Sequence, residues 1–149
     1  MGFDVNRLAY CGIYCDQCSF LTAYETNDRK HLQPLPSKYF ERHSEKELSE
    51  FACPGCKGDN ICGDCKMKEC GMEKKHGSCA ECDEFPCSDL EGFAGDGVPH
   101  HAWAFENLKK IKESGAENWY RDFKPNLTCG GCGERLSWYY TCPQHNGIA

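Results

Sequence analysis

Between Cys53 and Cys87 the chain reads CPGCKGDNICGDCKMKECGMEKKHGSCAECDEFPC, and eight of those thirty-five residues are cysteine. Their spacing is C-x2-C-x5-C-x2-C-x4-C-x8-C-x2-C-x4-C. An x2 gap turns the backbone tightly enough for two sulfurs to face one point, which is what a tetrahedral metal ion requires. Three such pairs occur here: Cys53 with Cys56, Cys62 with Cys65, and Cys79 with Cys82. Beyond cysteine and proline the apolar side chains are Ile61, Met67, Met72, Ala80 and Phe85, too few for a core. Metal, rather than hydrophobic burial, is expected to order this stretch.

The choice between metal and disulfide follows from compartment. Fourteen cysteines in 149 residues lie in the range where a covalent or metal scaffold is expected. The N-terminus MGFDVNRLAY has no basic segment followed by an apolar one, so no secretory signal is expected. Asn6 stands where a myristoylation signal wants Ser or Thr, and no apolar run is long enough for a membrane span. The expectation is a chain in a reducing cytoplasm, where clustered CxxC reads as metal binding. The formal charge is −6. Two four-thiolate zinc sites and one three-thiolate, one-histidine site would bring it to about −11. That balance opposes non-specific nucleic-acid binding, which needs Lys and Arg against phosphate. A partner, if there is one, is expected to be another protein.

The segment RLAYCGIYCDQC opens with C-x3-C-x2-C at Cys11, Cys15 and Cys18. Radical enzymes that cleave S-adenosylmethionine share that spacing, but their barrel needs a longer chain, and Gln17 replaces the usual aromatic. Asp16 is placed to N-cap a following helix. Amphipathic patterning predicts helices over 20–31 and 37–51, with a possible restart at Ser44, and the two form a hairpin over the metal region. A short helix is expected over 66–75 and another over 87–93 after Pro86. The clearest helix runs over 96–114, with Pro99 near its start, the stripe Ala104, Leu108 and Ile111, and Gly115 at its end. Trp119, Tyr120 and Phe123 follow on a shorter helix as core aromatics. His31 and His43 read as packing or surface residues; His76, His100 and His101 are left undecided as ligands.

After Pro125 the tail CGGCGERLSWYYTCPQH gives C-x2-C-x9-C-x2-H at Cys129, Cys132, Cys142 and His145. Residues 136–141 are rich in β-formers, so two chelating turns joined by a strand pair are expected. The fold class is thus a small, α-rich, irregular metal-stapled domain over 1–125, followed by a zinc-ribbon-like β-hairpin over 126–149.

The candidate ligands are Cys11, Cys15, Cys18, Cys53, Cys56, Cys62, Cys65, Cys70, Cys79, Cys82, Cys87, Cys129, Cys132, Cys142 and His145. Which of them share an ion stays open. Four x2 pairs outside the tail make two sites, and Cys11, Cys70 and Cys87 are single; with His76 they would supply a third. The favoured arrangement joins the Cys11, Cys15, Cys18 triple to the central stretch. Zinc, two to three or more ions per chain, suits separated x2 pairs. An iron–sulfur cluster in the central region is the alternative, although the compact ferredoxin run is absent.

The motifs YCGIYCDQC (10–18), CPGC (53–56), CGDCKMKECGMEKKHGSCAECDEFPC (62–87) and NLKKIKESGAENW (107–119) together resemble the prokaryotic cysteine-rich family known as domain of unknown function 3795. The resemblance implies a soluble prokaryotic metal-binding protein without an established role. Two positions depart from that pattern: Cys62 is an addition, and His145 stands where a cysteine is more usual. Three functions then compete. The first is a structural-zinc protein acting as an interaction or regulatory module. The second is an iron–sulfur electron-transfer protein. The third is a zinc hydrolase using Glu81, Asp83 or Glu84 as base. The residues contain no nucleophile–histidine–acid arrangement, and the first reading leads.

Overall fold

The computed structural model describes residues 2–58 and 65–145. By internal contacts the chain divides into two compact units, each made from two distant segments. The first comprises Met1–Cys15 and Pro54–Arg121, the second Asp16–Cys53 and Asp122–Ala149. Residues 126–149, set apart in the sequence by their motif, thus share a unit with 16–53.

In the first unit the dominant element is α5 (Pro99–Ser114); α3 (Lys66–Lys74), α4 (Ser88–Ala94) and the start of α6 (Ala116–Phe123) accompany it. Pro99 sits in the first turn of α5, and Gly115 ends it with φ 89°. Ala104, Leu108 and Ile111 form its buried stripe, with Leu108 fully buried. The stripe packs on the loop Leu8–Tyr14, which one antiparallel bridge between those two residues closes. Gly12, at φ 100°, brings that loop onto the backbone of α5, where a Cβ would overlap the Ala104 carbonyl. Asn107 Nδ2 donates to the Gly12 carbonyl at 3.0 Å. Tyr14 is buried against Trp119 and Tyr120, with ring centroids 5.7 and 5.3 Å away, so these aromatics are core as their pattern predicts.

The second unit contains α1 (Ser19–Thr26) and α2 (Phe40–His43), with single 3-10 turns at Arg29–His31, Ser37–Tyr39 and Leu48–Phe51. Phe20 on α1 is its hub, within 5.4 to 6.4 Å of the rings of Phe51, Tyr39, His43 and Trp138. The two long helices expected here are shorter pieces. Asn27 adopts φ 53° and stops α1 at Thr26. Extended Glu47 (ψ 151°) breaks the second, and the chain restarts on a capping box between Glu47 and Glu50. Cys18, rather than Asp16, occupies the N-cap of α1.

The chain is helix-rich, and no strand occurs among the described residues. The hairpin expected in the tail corresponds to one isolated antiparallel bridge, Thr128 with Arg135. No helix among the described residues is long and apolar enough to cross a membrane.

Candidate metal centre

The tail builds its site from local turns. Cys129 N–H donates to the Glu134 carbonyl at 2.7 Å, and Gly133 N–H returns to the Cys129 carbonyl at 2.8 Å, closing the first chelating turn. The second is held by His145 N–H to the Cys142 carbonyl at 3.3 Å. These turns bring Cys129 Sγ, Cys132 Sγ, Cys142 Sγ and a His145 nitrogen within 4.8 Å of one another. Among the described residues this is the one group so gathered.

The donor set fits a tetrahedral ion. With metal–sulfur bonds of about 2.3 Å and metal–nitrogen bonds of about 2.0 Å, tetrahedral edges measure about 3.8 Å between sulfurs and about 3.5 Å from sulfur to nitrogen. Cys132 Sγ lies 3.7 Å from Cys142 Sγ, and His145 Nδ1 lies 3.5 Å from Cys142 Sγ. Burial works against a Cys129 thiolate, yet the N–H groups of Cys132 and Gly131 outweigh it and lower its pKa. For Cys142, burial raises the thiol pKa. A bound cation would favour both as thiolates.

The surroundings were not legible from spacing. Gly131 leaves room for the histidine: a Cβ there would lie 2.5 Å from His145 Cδ2. Glu134 accepts from Tyr140 Oη at 3.0 Å, pairs with Lys30 and neighbours Cys142. Lys30 also lies 5.2 Å from the centre of the Tyr140 ring. Arg135 donates to the Asp16 carbonyl at 3.1 Å and pairs with Glu25 at 2.9 Å, anchoring the knuckle to its own unit. The double glycine inside CGGC was the available signal for Gly131; nothing in the sequence pointed to Lys30, 104 residues from Glu134.

The other candidates separate by unit. Cys18 and Cys53, both half-buried, fall in the second, while Cys11, Cys15, Cys56, Cys65, Cys70, Cys79, Cys82 and Cys87 fall in the first. Cys62 lies outside the described residues. None of the thirteen described cysteines stands in a disulfide. Near Cys11, Cys15 and Cys56 sits Lys57, whose Nζ donates to the carbonyls of Val5, Leu8 and Gly77 and lies 4.4 Å from the centre of the Tyr10 ring. Burial lowers its pKa, and the neighbouring cysteines oppose that. The turn at Gly55 lies against Cys15, 3.2 Å from a Cβ position to its sulfur. Cys70, Cys79, Cys82 and Cys87 line one cavity with His76, Phe85 and Leu90. Burial, with Cys87, Cys70, Cys82 and Cys65 nearby, pushes the Cys79 thiol up to about 12.

Of the undecided histidines, His76 borders that cavity, His100 is buried, and His101 meets Asp96 Oδ2 at 2.7 Å and stacks on Phe93. His31 and His43 are buried packing residues. Two of the three acidic candidates for a base are otherwise engaged: Glu81 accepts the N–H groups of Gly77 and Ser78, and Glu84 pairs with Lys74.

The model of one family matches residues 7–92, more than half of the chain: the protein of unknown function DUF3795. The match takes in the central cysteines and stops short of the tail. No curated protein and no solved structure matches the chain.

Proposed function

The chain belongs to DUF3795, a family of unknown function, and we propose that it is a zinc-binding protein with mainly structural sites, serving as an interaction or regulatory module toward another protein. The tail quartet carries this reading. Three sulfurs and one imidazole nitrogen, all within 4.8 Å of one another and with two of the separations at tetrahedral-edge length, supply all four ligands of a zinc ion. A filled site leaves no position for water or substrate, so the ion orders the tail and does no chemistry itself. In a four-iron cluster each thiolate binds a different iron, which spreads the sulfurs beyond one tetrahedral edge. The tail spacing therefore favours a single ion. On this reading the tail is a zinc-ribbon-like knuckle whose pairing is reduced to the bridge at Thr128.

Clustered CxxC pairs in such number suit a reducing cytoplasm. The acidic balance favours a protein partner over nucleic acid. Metal analysis with an absorption spectrum on anaerobically purified protein tests the assignment. Colourless protein holding zinc is expected, and His145→Ala should lose about one ion per chain. Stoichiometric iron with a broad visible band would replace this reading with the electron-transfer one.

A further inference from the structure

We propose that Cys70, Cys79, Cys82 and Cys87 form a second metal centre, a four-thiolate site for a soft divalent ion such as zinc, independent of the tail. All four border one cavity of about 40 Å³ within the first unit. That is room for roughly three waters, which one coordinated ion would displace. They arrive there from separate pieces of backbone. Cys70 lies on α3, on the face that also carries Met67, Gly71 and Lys74. That face looks onto the Cys79–Cys82 turn, because Lys74 Nζ reaches Cys82 Sγ at 3.4 Å.

Two independent contacts fix this approach. Gly71 permits it, since a Cβ there would overlap the Tyr10 ring. The carbonyl of the same Tyr10 accepts the Cys79 N–H at 2.9 Å. The turn itself is set by Cys82 N–H to the Cys79 carbonyl at 3.1 Å and Phe85 N–H to the Cys82 carbonyl at 3.2 Å. Cys87 follows, just ahead of α4. The sulfurs here are less tightly gathered than in the tail, so the ion draws them the last distance.

Charge around the cavity suits this content. Four thiolates about a divalent ion carry net −2. Lys66 borders the cavity beside Asp89, Lys74 bridges Cys82 and Glu84, and Lys112 Nζ donates to the carbonyls of Ala80 and Cys82 at 3.2 and 3.3 Å, so the ammonium groups outnumber the carboxylates. Ammonium groups beside ligand sulfurs and their carbonyls stabilise an anionic thiolate site from its outer shell. His76 also borders the cavity, but four sulfurs already complete a tetrahedron.

The test uses the full chain purified with zinc. Cys82→Ser and Cys132→Ser should each lose about one ion, and the double variant about two. Cys82→Ser with undiminished metal overturns this site while leaving the tail reading intact. Undiminished metal in Cys132→Ser alone does the reverse. Because a variant can fail to fold, the wild-type chain is also loaded with cadmium-113 and read by cadmium–proton correlation. One cadmium coupled to the β-protons of Cys70, Cys79, Cys82 and Cys87 is expected. Coupling to His76 ring protons in place of one cysteine, or no cadmium shared by these four, overturns the assignment.

Discussion

His31 is fully buried, its Nδ1 2.8 Å from Ser137 Oγ and its Nε2 without a hydrogen-bond partner among the described residues. Burial, helped by Lys30, pushes its pKa down to about 4. The folded chain therefore keeps this ring neutral where the unfolded chain, with a pKa of about 6.5, takes up a proton. Stability from this group is complete above about pH 6.5 and is lost as pH falls toward 4. Between pH 7 and pH 5 the loss should be about 2 kcal/mol, and His31→Gln should lack it; urea unfolding at both pH values measures the difference. A second expectation concerns Gly131. With His145 crowded by a new methyl group, Gly131→Ala should weaken metal binding by about tenfold or more, read by competition with a chromophoric chelator. The tail quartet was legible because a chelating turn is set by residues next to one another. The carboxylate and ammonium of Glu134 and Lys30 were not, because only the folded chain brings them together.

Helix α5 is the element on which the first unit depends, and it was also the most legible. Proline at its start, an i, i+4, i+7 stripe and a terminal glycine are all local signals. Leu108→Ala should cost about 2–5 kcal/mol, the range for a fully buried leucine, measured as a lower midpoint in denaturant with unchanged slope. The helices between residues 20 and 51 were legible as amphipathic patches but not in extent. Their ends rest on two backbone choices, left-handed Asn27 and extended Glu47, and periodicity carries neither. The strand pair expected from β-formers over 136–141 shrinks for a similar reason. Trp138 N–H goes to the Gln17 carbonyl at 3.0 Å and Ser137 Oγ to His31, so the segment spends its polar groups on its own unit.

At the scale of the whole chain, each unit is closed by residues far from its other half. Residues 122–149 supply Trp138 against Phe20, Ser137 against His31 and Glu134 against Lys30. A chain ending at residue 121 should therefore leave 16–53 open to limited proteolysis while α5 keeps its protection. If the tail were a free-standing module, the cleavage pattern of 16–53 would not change. Which of the cysteines before the tail lie together was not legible for the same reason: spacing reveals pairs, and only the path of the chain says which pairs meet.

The discontinuity of the second unit has a consequence for biosynthesis. Chains emerge from the ribosome at about 5–20 residues per second and fold as segments become available. Phe20, His31 and their neighbours are made early but wait for residues 122–149 to cover them. For several seconds of each synthesis Phe20 therefore lacks Trp138, and His31 lacks Ser137, on the nascent chain. Chaperones would meet the protein first in that state.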